Sequence, residues 1–435
     1  MYRSGLRARF LIKKNWNSRA QENASKAFNS RPFSRTFAGT AGINQFTHTC
    51  GIDAEPLHRY RVGGYHPIAL GDLFKDGRYK ILHKLGWGGY STVWAAKDLR
   101  NQEYVALKVS TSEIHDKSRE LNVLRTLAGL NSEEIGSRHV MQLLDHFQIE
   151  GPNGNHECLV LEFLGPSITD VLEVRFHDER LPGTLAKMSA QQALIGLAYL
   201  HKYGIGHGDL HTRNLSFVIP SLHTLTEAEL LQKLRNPEIG AVTRKDGKPL
   251  EPSLPAYLVR PTFYPTDVSL SQQQIKIIDF GESFFSNNDV PLMLHTPLCV
   301  RAPEVIFGEK LDYRVDLWSA GCMIFELVIG QPPIDSIMAT PVTVVQQMLE
   351  TASDELPERW QQKWRTMDSA WTGDKTENNL QEWLEETYFD GVRKEDLTRE
   401  DIIKVGTLVS RLLRFEPSTR ASAQEILQDP WFGDK

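Results

Sequence analysis

The sequence predicts an α+β fold with two unequal lobes, and three observations support this prediction. Short runs rich in β-branched and aromatic residues lie within residues 79–163, which is typical of a small β-rich lobe. Beyond Gly165 long amphipathic segments follow, which predicts a mainly helical second lobe. With 435 residues, 40% of them hydrophobic, the chain is long enough to bury both cores. Two such lobes leave a cleft between them, where a ligand is expected.

The first lobe is predicted to hold five strands and one helix. The strands are expected at Tyr79–Leu85, Thr92–Asp98, Tyr104–Val109, Val140–Ile149 and Cys158–Phe163. The helix lies between the third and fourth strands, with Leu121, Leu124 and Ala128 on one face. In the second lobe, long helices are expected near residues 185–203, 313–329 and 401–415. We therefore place the two lobes at residues 63–163 and 164–435.

An insertion interrupts the second lobe at about residues 218–273. It holds seven of the 22 prolines, which disfavours regular structure over most of its length. Thr226-Glu-Ala-Glu229 is a capping-box pattern that comes directly before Leu230 and Leu231, and it predicts one short helix. We expect an otherwise irregular insertion that loops out at the surface.

Residues 1–62 are predicted to form a flexible basic arm. Residues 1–50 carry nine Lys and Arg against one acid, Glu22, and show no helical or strand periodicity. This Arg-rich, Ser-rich composition is also typical of a mitochondrial transit peptide, with Arg31-Pro-Phe-Ser34 as a candidate processing point. We expect a protein of the cytoplasm and nucleus, with mitochondria as the alternative if residues 1–40 act as a transit peptide.

Charge and composition narrow the class further. Residues 345–402 carry 15 acids against seven Lys and Arg, which predicts either an attraction for basic peptides or an ordinary solvated face. The four cysteines show no C-x-x-C pairing, which favours reduced thiols over a disulfide or zinc framework. No run of 18 apolar residues occurs, so we expect no transmembrane helix.

Five short motifs follow one another in a fixed order. They are Leu85-Gly-Trp-Gly-Gly-Tyr-Ser-Thr-Val93, Val105-Ala-Leu-Lys108, His207-Gly-Asp-Leu-His-Thr-Arg-Asn214, Asp279-Phe-Gly281 and Ala302-Pro-Glu304. An isolated Asp-Phe-Gly means little, but the ordered set is specific, and it resembles the signature of the protein kinases. The resemblance implies a bilobal protein kinase fold that binds ATP and Mg²⁺ in its cleft.

The first two motifs predict the nucleotide site. Missing side chains in the glycine-rich motif let backbone N–H groups approach phosphates, although adjacent glycines also close ordinary hairpins. Lys108 is expected to reach the α- and β-phosphates and to pair with Glu120, with Glu113 as a nearby acid of the same region. The family resemblance adds two adenine contacts, from Glu162 and Leu164. The predicted nucleotide-binding residues are Leu85, Gly86, Trp87, Gly88, Gly89, Tyr90, Ser91, Thr92, Val93, Lys108, Glu120, Glu162 and Leu164.

The third and fourth motifs predict the chemistry. Asp209 is the candidate general base for the substrate hydroxyl, and Asn214 and Asp279 offer the hard oxygen ligands that Mg²⁺ prefers. The candidate catalytic residues are Asp209, Asn214, Arg213 and Lys108.

Two positions depart from the family pattern. Gly208 stands where many kinases carry an Arg that pairs with an activation-loop phosphate, so we expect packing to order the segment 279–304. His211 stands where Ser/Thr kinases carry a phosphate-binding Lys. We expect Arg213 to supply the missing positive charge, because its guanidinium can bind a phosphate in a bidentate way.

The second half of the chain bears on the function class. Glu304 is expected to form a buried ion pair with Arg420, and Asp316 to accept backbone hydrogen bonds from the catalytic loop. Small-molecule phosphotransferases of the aminoglycoside and choline kinase type lack this set, although His207-Gly-Asp-Leu-His211 resembles them locally. A pseudokinase scaffold is the other alternative. The complete set of catalytic residues argues against it, because a scaffold has no chemical need for them.

A closer resemblance is to the SRPK kinases of the CMGC group, of the fungal type. It rests on Gly64-Tyr-His-Pro-Ile-Ala-Leu-Gly-Asp-Leu-Phe74, Arg78-Tyr-Lys-Ile-Leu82, Leu85–Trp94, the insertion and Arg301. It covers residues 63–435 and implies a constitutively active, non-specific serine/threonine kinase of Arg/Ser-rich proteins, involved in mRNA splicing regulation.

The SRPK resemblance also implies partners and substrate contacts. The acidic residues 345–402 would dock basic substrates, with Asp354, Glu355 and Glu358 as candidates. Pro297 departs from the family on the substrate side, and Thr296 lies one place from the position of a Thr that contacts the base. We expect a monomer without a direct nucleic-acid or membrane partner.

Overall fold

The computed structural model describes residues 47–113, 117–131, 133–176, 180–265, 273–287, 290–335, 339–369 and 380–433. The transit-peptide prediction and most of the predicted arm concern residues 1–46, which lie outside these ranges. Within them, no helix combines the length and the apolar character that a membrane span requires.

A six-stranded antiparallel sheet forms the first lobe, and one further short strand, the first in the described chain, lies outside this sheet. In chain order the strands are β1 His48–Thr49, β2 Leu73–Phe74, β3 Tyr79–Gly88, β4 Ser91–Asp98, β5 Glu103–Ser110, β6 Leu143–Gly151 and β7 Gly154–Glu162. All except β1 join the sheet, in the spatial order β2-β3-β4-β5-β7-β6. The five predicted strands are confirmed, and β7 ends one residue before the predicted lobe boundary.

Helix α1, Lys117–Ala128, packs on one face of this sheet. Leu121 and Leu124 are buried as predicted, but the third contact was assigned to the wrong residue, because Leu127 is buried and Ala128 is exposed. The helix thereby places Glu120, in its first turn, on the side of the strand that carries Lys108.

The second lobe is built from helices. They are α2 Ile168–Arg175, α3 Gly183–Lys202, α4 Glu227–Leu234, α5 Pro303–Phe307, α6 Val315–Ile329, α7 Pro341–Thr351, α8 Glu358–Met367, α9 Leu380–Tyr388, α10 Arg399–Leu412, α11 Ala423–Leu427 and α12 Pro430–Gly433. The three predicted long helices correspond to α3, α6 and α10. Helix α6 is buried on all sides except at Glu326, so it forms the centre of the lobe.

Short strand pairs set the positions of the site loops. The strands are β8 Ile205–Gly206, β9 Leu215–Phe217, β10 Ile239–Ala241, β11 Thr243–Arg244, β12 Tyr257–Val259, β13 Ile275–Ile277 and β14 Phe284–Phe285. Strand β9 pairs with β13 and β8 with β14, both antiparallel. These two pairings hold the motif at residues 207–214 close to the Asp279-Phe-Gly281 motif, although the insertion separates them in sequence.

The insertion agrees only in part with its prediction. Helix α4 and its capping box are confirmed, with Thr226 and Glu229 bonded reciprocally. The expected irregular, outward-looping course is wrong, because β10 pairs with β12. Leu230 and Leu234 are buried against Tyr104 and Phe163 of the first lobe. Apolar side chains of the helix find an apolar sheet face there, and this burial outweighs the effect of the prolines.

The prediction of a flexible arm is wrong for residues 47–62. From Thr47 onward the chain is packed, and β1 pairs with β11 of the insertion. Glu55 is buried and bonded to both Lys84 and Tyr60. A buried acid with two partners ties this segment to the first lobe, because leaving either charge unpaired in the interior is costly.

Candidate active site

The catalytic loop, residues 207–214, connects β8 to β9, and hydrogen bonds to one buried carboxylate hold it in place. Asp316 in α6 accepts hydrogen bonds from the backbone N–H of His207 at 2.7 Å and of Gly208 at 2.8 Å. His201 Nε2 lies 3.1 Å from the same carboxylate. The predicted role of Asp316 is confirmed, and it fixes the backbone directly before Asp209.

The side chain of Asn214 holds Asp209 in place. Asn214 Nδ2 donates to the Asp209 carbonyl at 2.8 Å and to its Oδ2 at 3.3 Å. The other carboxylate oxygen, Oδ1, is buried without a hydrogen-bond partner among the described residues. A buried acceptor without a donor is unfavourable, so this oxygen is available to a hydrogen-bond donor from a ligand.

Asp279 comes to the same place through the β9–β13 ladder. Asn214 precedes β9, Asp279 follows β13, and Ile278 N donates to the Asn214 carbonyl at 2.9 Å. The backbone of Asp279 has φ of 61°, a left-handed conformation that costs energy for a non-glycine residue. Phe280 is buried edge-on to the His207 ring, at 5.2 Å between ring centroids, and this packing supports the turn.

Lys108 joins two carboxylates in the cleft. Its Nζ lies 2.7 Å from Glu120 Oε1 and 2.9 Å from Asp279 Oδ1. The Lys108–Glu120 pair is confirmed, whereas Glu113 pairs with Arg59 and Arg61 instead. The positive charge of Lys108 lowers the pKa of Asp279 to about 2. Burial alone would lower the pKa of Lys108, but Asp279 and Glu120 outweigh it and raise that pKa.

The glycine-rich motif forms the hairpin between β3 and β4. A Cβ added at Gly86, Gly88 or Gly89 would meet no atom within 4 Å, and none of the three has a positive φ. The fold itself therefore does not require glycine at these positions, whereas a closely approaching ligand would. The hydroxyl of Thr92, another predicted contact, accepts a hydrogen bond from Trp94 within the sheet.

The protein kinase domain family matches residues 79–221 and 266–432. The chain belongs to the protein kinase family. The unmatched residues 222–265 fall within the predicted insertion.

Several serine/threonine kinases are similar to this chain, two of them over most of its length. Serine/threonine-protein kinase SRPK of Physarum polycephalum is 28% identical, over 87% of this chain and 91% of its own length. A serine/threonine protein kinase of Aspergillus fumigatus is 30% identical, over 87% of this chain and 90% of its own length. SRSF protein kinase 3 of Homo sapiens is 38% identical, over 36% of this chain and 28% of its own length.

These similarities confirm an SRPK-like serine/threonine kinase and favour it over both alternatives, the scaffold and the small-molecule phosphotransferase. The similar proteins come from Physarum, fungi and human, so the fungal type stays a prediction. Membership of the family implies that the kinase uses ATP with a divalent metal ion.

The segment between the lobes of the kinase is fixed by the side chain of Glu162. Lys276 Nζ lies 2.6 Å from Glu162 Oε2, and the backbone N–H of Gln142 donates to Oε1 at 2.7 Å. The predicted adenine contacts at Glu162 and Leu164 use backbone atoms, so this side-chain anchoring is compatible with them. Both contacts stay predictions.

Gly208 allows the activation segment of the kinase to pack closely. Its φ is 77°, and an added Cβ would lie 2.4 Å from the Glu282 carbonyl and 3.0 Å from the buried Leu294. An Arg cannot occupy this position without moving the segment. Thr296 Oγ1 donates to the Gly208 carbonyl at 2.6 Å, so this Thr contacts the residue before the base. Packing orders the described part of the segment, as expected.

The structure brings His211 of the kinase, and not Arg213, close to Asp209. His211 Nε2 lies 3.6 Å from Asp209 Oδ2. The guanidinium of Arg213 lies 3.3 Å from Glu173, in a pair whose side chains are 58% and 64% exposed. The proposed phosphate-binding cation is thus turned toward an acid at the surface. The position of the His211 ring near Asp209 was not predicted from the sequence, because the ring direction depends on a hydrogen bond from Arg213 N to Nδ1.

Two further predictions concern the substrate side of the kinase. The Glu304–Arg420 ion pair is confirmed, with two hydrogen bonds of 2.6 and 2.7 Å. Asp354 is not available for docking, because its carboxylate accepts hydrogen bonds from the backbone of Phe415 and Glu416. Asp354 holds the segment that follows α10, and the charge pattern alone did not reveal this contact.

Proposed function

We propose that the kinase transfers the γ-phosphoryl group of Mg-ATP to serine in basic, Arg/Ser-rich proteins. The observation that carries this proposal is Oδ1 of Asp209, which is buried without a hydrogen-bond partner among the described residues. Asn214 links Asp209 to the strand end that presents Asp279 to Lys108. Asp209 thus supplies a proton acceptor, and Lys108 a place for phosphate charge. Relatives named as SRPK and SRSF protein kinases support the substrate class.

Asn214 and Asp279 fit a magnesium ion. The Asn214 amide uses Nδ2 for its bonds, and its Oδ1 accepts none from the described residues. Asp279 uses Oδ1 toward Lys108 and Gly281, which leaves Oδ2 free of hydrogen bonds in the described chain. Two hard oxygens at neighbouring strand ends are suitable Mg²⁺ ligands. The ion would neutralise charge on the phosphates.

The reaction itself is a displacement at phosphorus. Asp209 accepts the proton of the serine hydroxyl while the serine oxygen bonds to the γ-phosphorus. The bond from the γ-phosphorus to the bridging oxygen breaks, and ADP leaves with that oxygen. Lys108 holds the α- and β-phosphates in place, and Glu120 keeps Lys108 directed into the cleft.

The basic substrate is proposed to dock on the acidic residues 345–402. After the exclusion of Asp354, the remaining candidates are Glu355 and Glu358, both exposed near the start of α8. Charge attraction between exposed groups weakens with salt, so substrate affinity should fall as ionic strength rises.

The test is ³²P transfer from Mg-ATP to an Arg-Ser repeat peptide, beside an acidic Ser peptide. Selective labelling of the Arg-Ser peptide that is lost in Asp209→Asn supports the proposal. Equal labelling of both peptides contradicts the substrate class and supports a non-specific serine/threonine kinase. No labelling of either peptide contradicts the proposed reaction.

We further propose that the kinase acts as a monomer in the cytoplasm and nucleus. Light scattering of the full chain tests the first point. Incubation with isolated mitochondria tests the second, because import with loss of about the first 40 residues would support a transit peptide instead.

A further inference from the structure

The glycine-rich loop of the kinase is held by a segment that precedes the matched domain. We call residues 59–65 the strap. The Tyr65 hydroxyl donates to the Gly88 carbonyl at 2.6 Å, and Arg59 Nη2 donates to the Gly89 carbonyl at 2.5 Å. Two successive carbonyls of the phosphate-binding loop therefore have side-chain donors from one short segment.

The strap is itself firmly placed. Gly63 N donates to the Asn153 carbonyl at 2.8 Å, and Glu113 N donates to the Gly63 carbonyl at 2.6 Å. At Gly64 an added Cβ would lie 1.7 Å from the Arg59 carbonyl, so only glycine fits this tight turn. These backbone bonds fix the strap to the sheet independently of the two side chains that reach the loop.

Both loop-contacting side chains are prepared for donation. Tyr65 is buried, and burial raises the pKa of its hydroxyl to about 12, so the proton stays on at physiological pH. Arg59 Nη2 lies 2.9 Å from Glu113 Oε1, which holds the guanidinium beside the loop.

Fixing two carbonyls also fixes two N–H groups. In a trans peptide the carbonyl of one residue and the N–H of the next point in opposite directions, and the described chain has no cis peptide. Bonds to the Gly88 and Gly89 carbonyls therefore direct the N–H groups of Gly89 and Tyr90 away from the strap. A loop that is exposed and rich in glycine would otherwise lose much conformational freedom when it orders on a ligand.

We propose that Arg59 and Tyr65 are positioning residues, which hold the glycine-rich loop so that its N–H groups meet the nucleotide phosphates without prior rearrangement. This inference rests on the proposed Mg-ATP site. Preorganisation of this kind increases affinity by lowering the ordering cost of binding. Neither residue touches the phosphates in this scheme.

The test compares two variants with two matched controls in the full chain. Tyr65→Phe and Arg59→Gln each remove one donor to the loop. Tyr60→Phe removes a neighbouring hydroxyl that bonds to Glu55 instead, and Arg61→Gln removes an arginine that shares the partner Glu113 but does not contact the loop. The measurements are affinity for a fluorescent ADP analogue with Mg²⁺, KM for ATP and for peptide, and hydrogen exchange of the loop amides.

We expect the two loop variants to weaken nucleotide binding about threefold to tenfold, as for loss of one hydrogen bond. The KM for peptide should stay within about twofold, and exchange at Gly89 and Tyr90 should quicken without nucleotide. Unchanged affinity in Tyr65→Phe and Arg59→Gln would overturn the inference, as would equal weakening in the controls. A wild-type chain that binds no nucleotide would instead overturn the proposed Mg-ATP site.

Discussion

Two ion-pair sites of the kinase, one closed and one open to solvent, use the same chemistry in different ways. Arg420 and Glu304 lie in the second lobe with side chains 0% and 3% exposed. The Arg420 guanidinium also donates to the carbonyls of Arg314, Arg414 and Phe415, so its hydrogen-bonding capacity is used within the protein. In the cleft, Lys108 pairs with Glu120 and with Asp279, and the Asp279 side chain is 50% exposed.

The difference separates a pair that holds the fold from a cluster that is open to a ligand. The closed pair has no hydrogen-bonding group left for a ligand, and breaking the pair leaves a buried charge uncompensated. An open cluster keeps a carboxylate oxygen in reach of a cation and can exchange partners during a reaction. Loss of the Arg420–Glu304 pair should therefore lower the stability of the kinase, whereas loss of the Lys108 cluster should lower its turnover.

The largest expected effect follows from opening the closed pair. In Glu304→Gln the Arg420 charge stays buried without its counter-ion, which should lower the free energy of unfolding by about 3–5 kcal/mol. Urea denaturation monitored by tryptophan fluorescence measures it. The control is Glu400→Gln in the surface pair with Lys404, where Glu400 is 78% exposed and a change under about 0.5 kcal/mol is expected. Equal losses in both variants would contradict the contrast.

The converse change is Lys108→Met in the open cluster. We expect kcat/KM to fall about 100- to 1000-fold, as when one preorganised donor is removed from a reacting charge. The free energy of unfolding should fall less than in Glu304→Gln, because water reaches Asp279 and can solvate it. Steady-state kinetics and urea denaturation of the same preparation measure both quantities. If Lys108→Met is active but unstable, the cluster serves stability rather than turnover, and the contrast with the Arg420–Glu304 pair is wrong.

Gly208, the residue before Asp209, is expected to affect both stability and turnover. Gly208→Ala would place a Cβ 2.4 Å from the Glu282 carbonyl in a left-handed conformation. We expect a loss of about 1–3 kcal/mol in stability and a lower kcat, because the activation segment must shift.

Gly391→Ala is the matched control for this substitution. Gly391 also has a positive φ, of 68°, but an added Cβ would meet nothing within 4 Å. This variant should lose stability through backbone strain alone and keep full kcat. If both glycine variants have the same kcat, the close contact with Glu282 does not position the catalytic loop.

How far the sequence predicts this molecule also follows from the contrast between local and distant contacts. The strands and the Lys108–Glu120 pair were predictable, because periodicity and motif order report local structure. The docked insertion and the Tyr65–Gly88 bond were not, since each depends on which surface lies opposite after folding. The strap has no motif of its own that points to the loop.

The catalytic loop shows the same limit at the scale of one side chain. Charge alone predicts that Arg213 binds the phosphate, and on that assumption Arg213→Ala would lower kcat more than His211→Ala. Side-chain direction reverses this order, because the His211 ring lies beside Asp209 while Arg213 pairs with Glu173. Spacing along a loop does not determine which of two nearby side chains turns inward.

The smallest expected effect therefore compares His211→Ala with Arg213→Ala. A bond of 3.2 Å from Arg213 N to His211 Nδ1 turns the ring so that Nε2 lies 3.6 Å from Asp209 Oδ2 and 3.3 Å from Asn214 Nδ2. Loss of that ring should lower kcat about threefold to tenfold by loosening the base. Loss of an exposed ion pair should change kcat less than about twofold. Single-turnover transfer at saturating Mg-ATP and peptide measures both, and a larger effect in Arg213→Ala would restore the charge-based assignment.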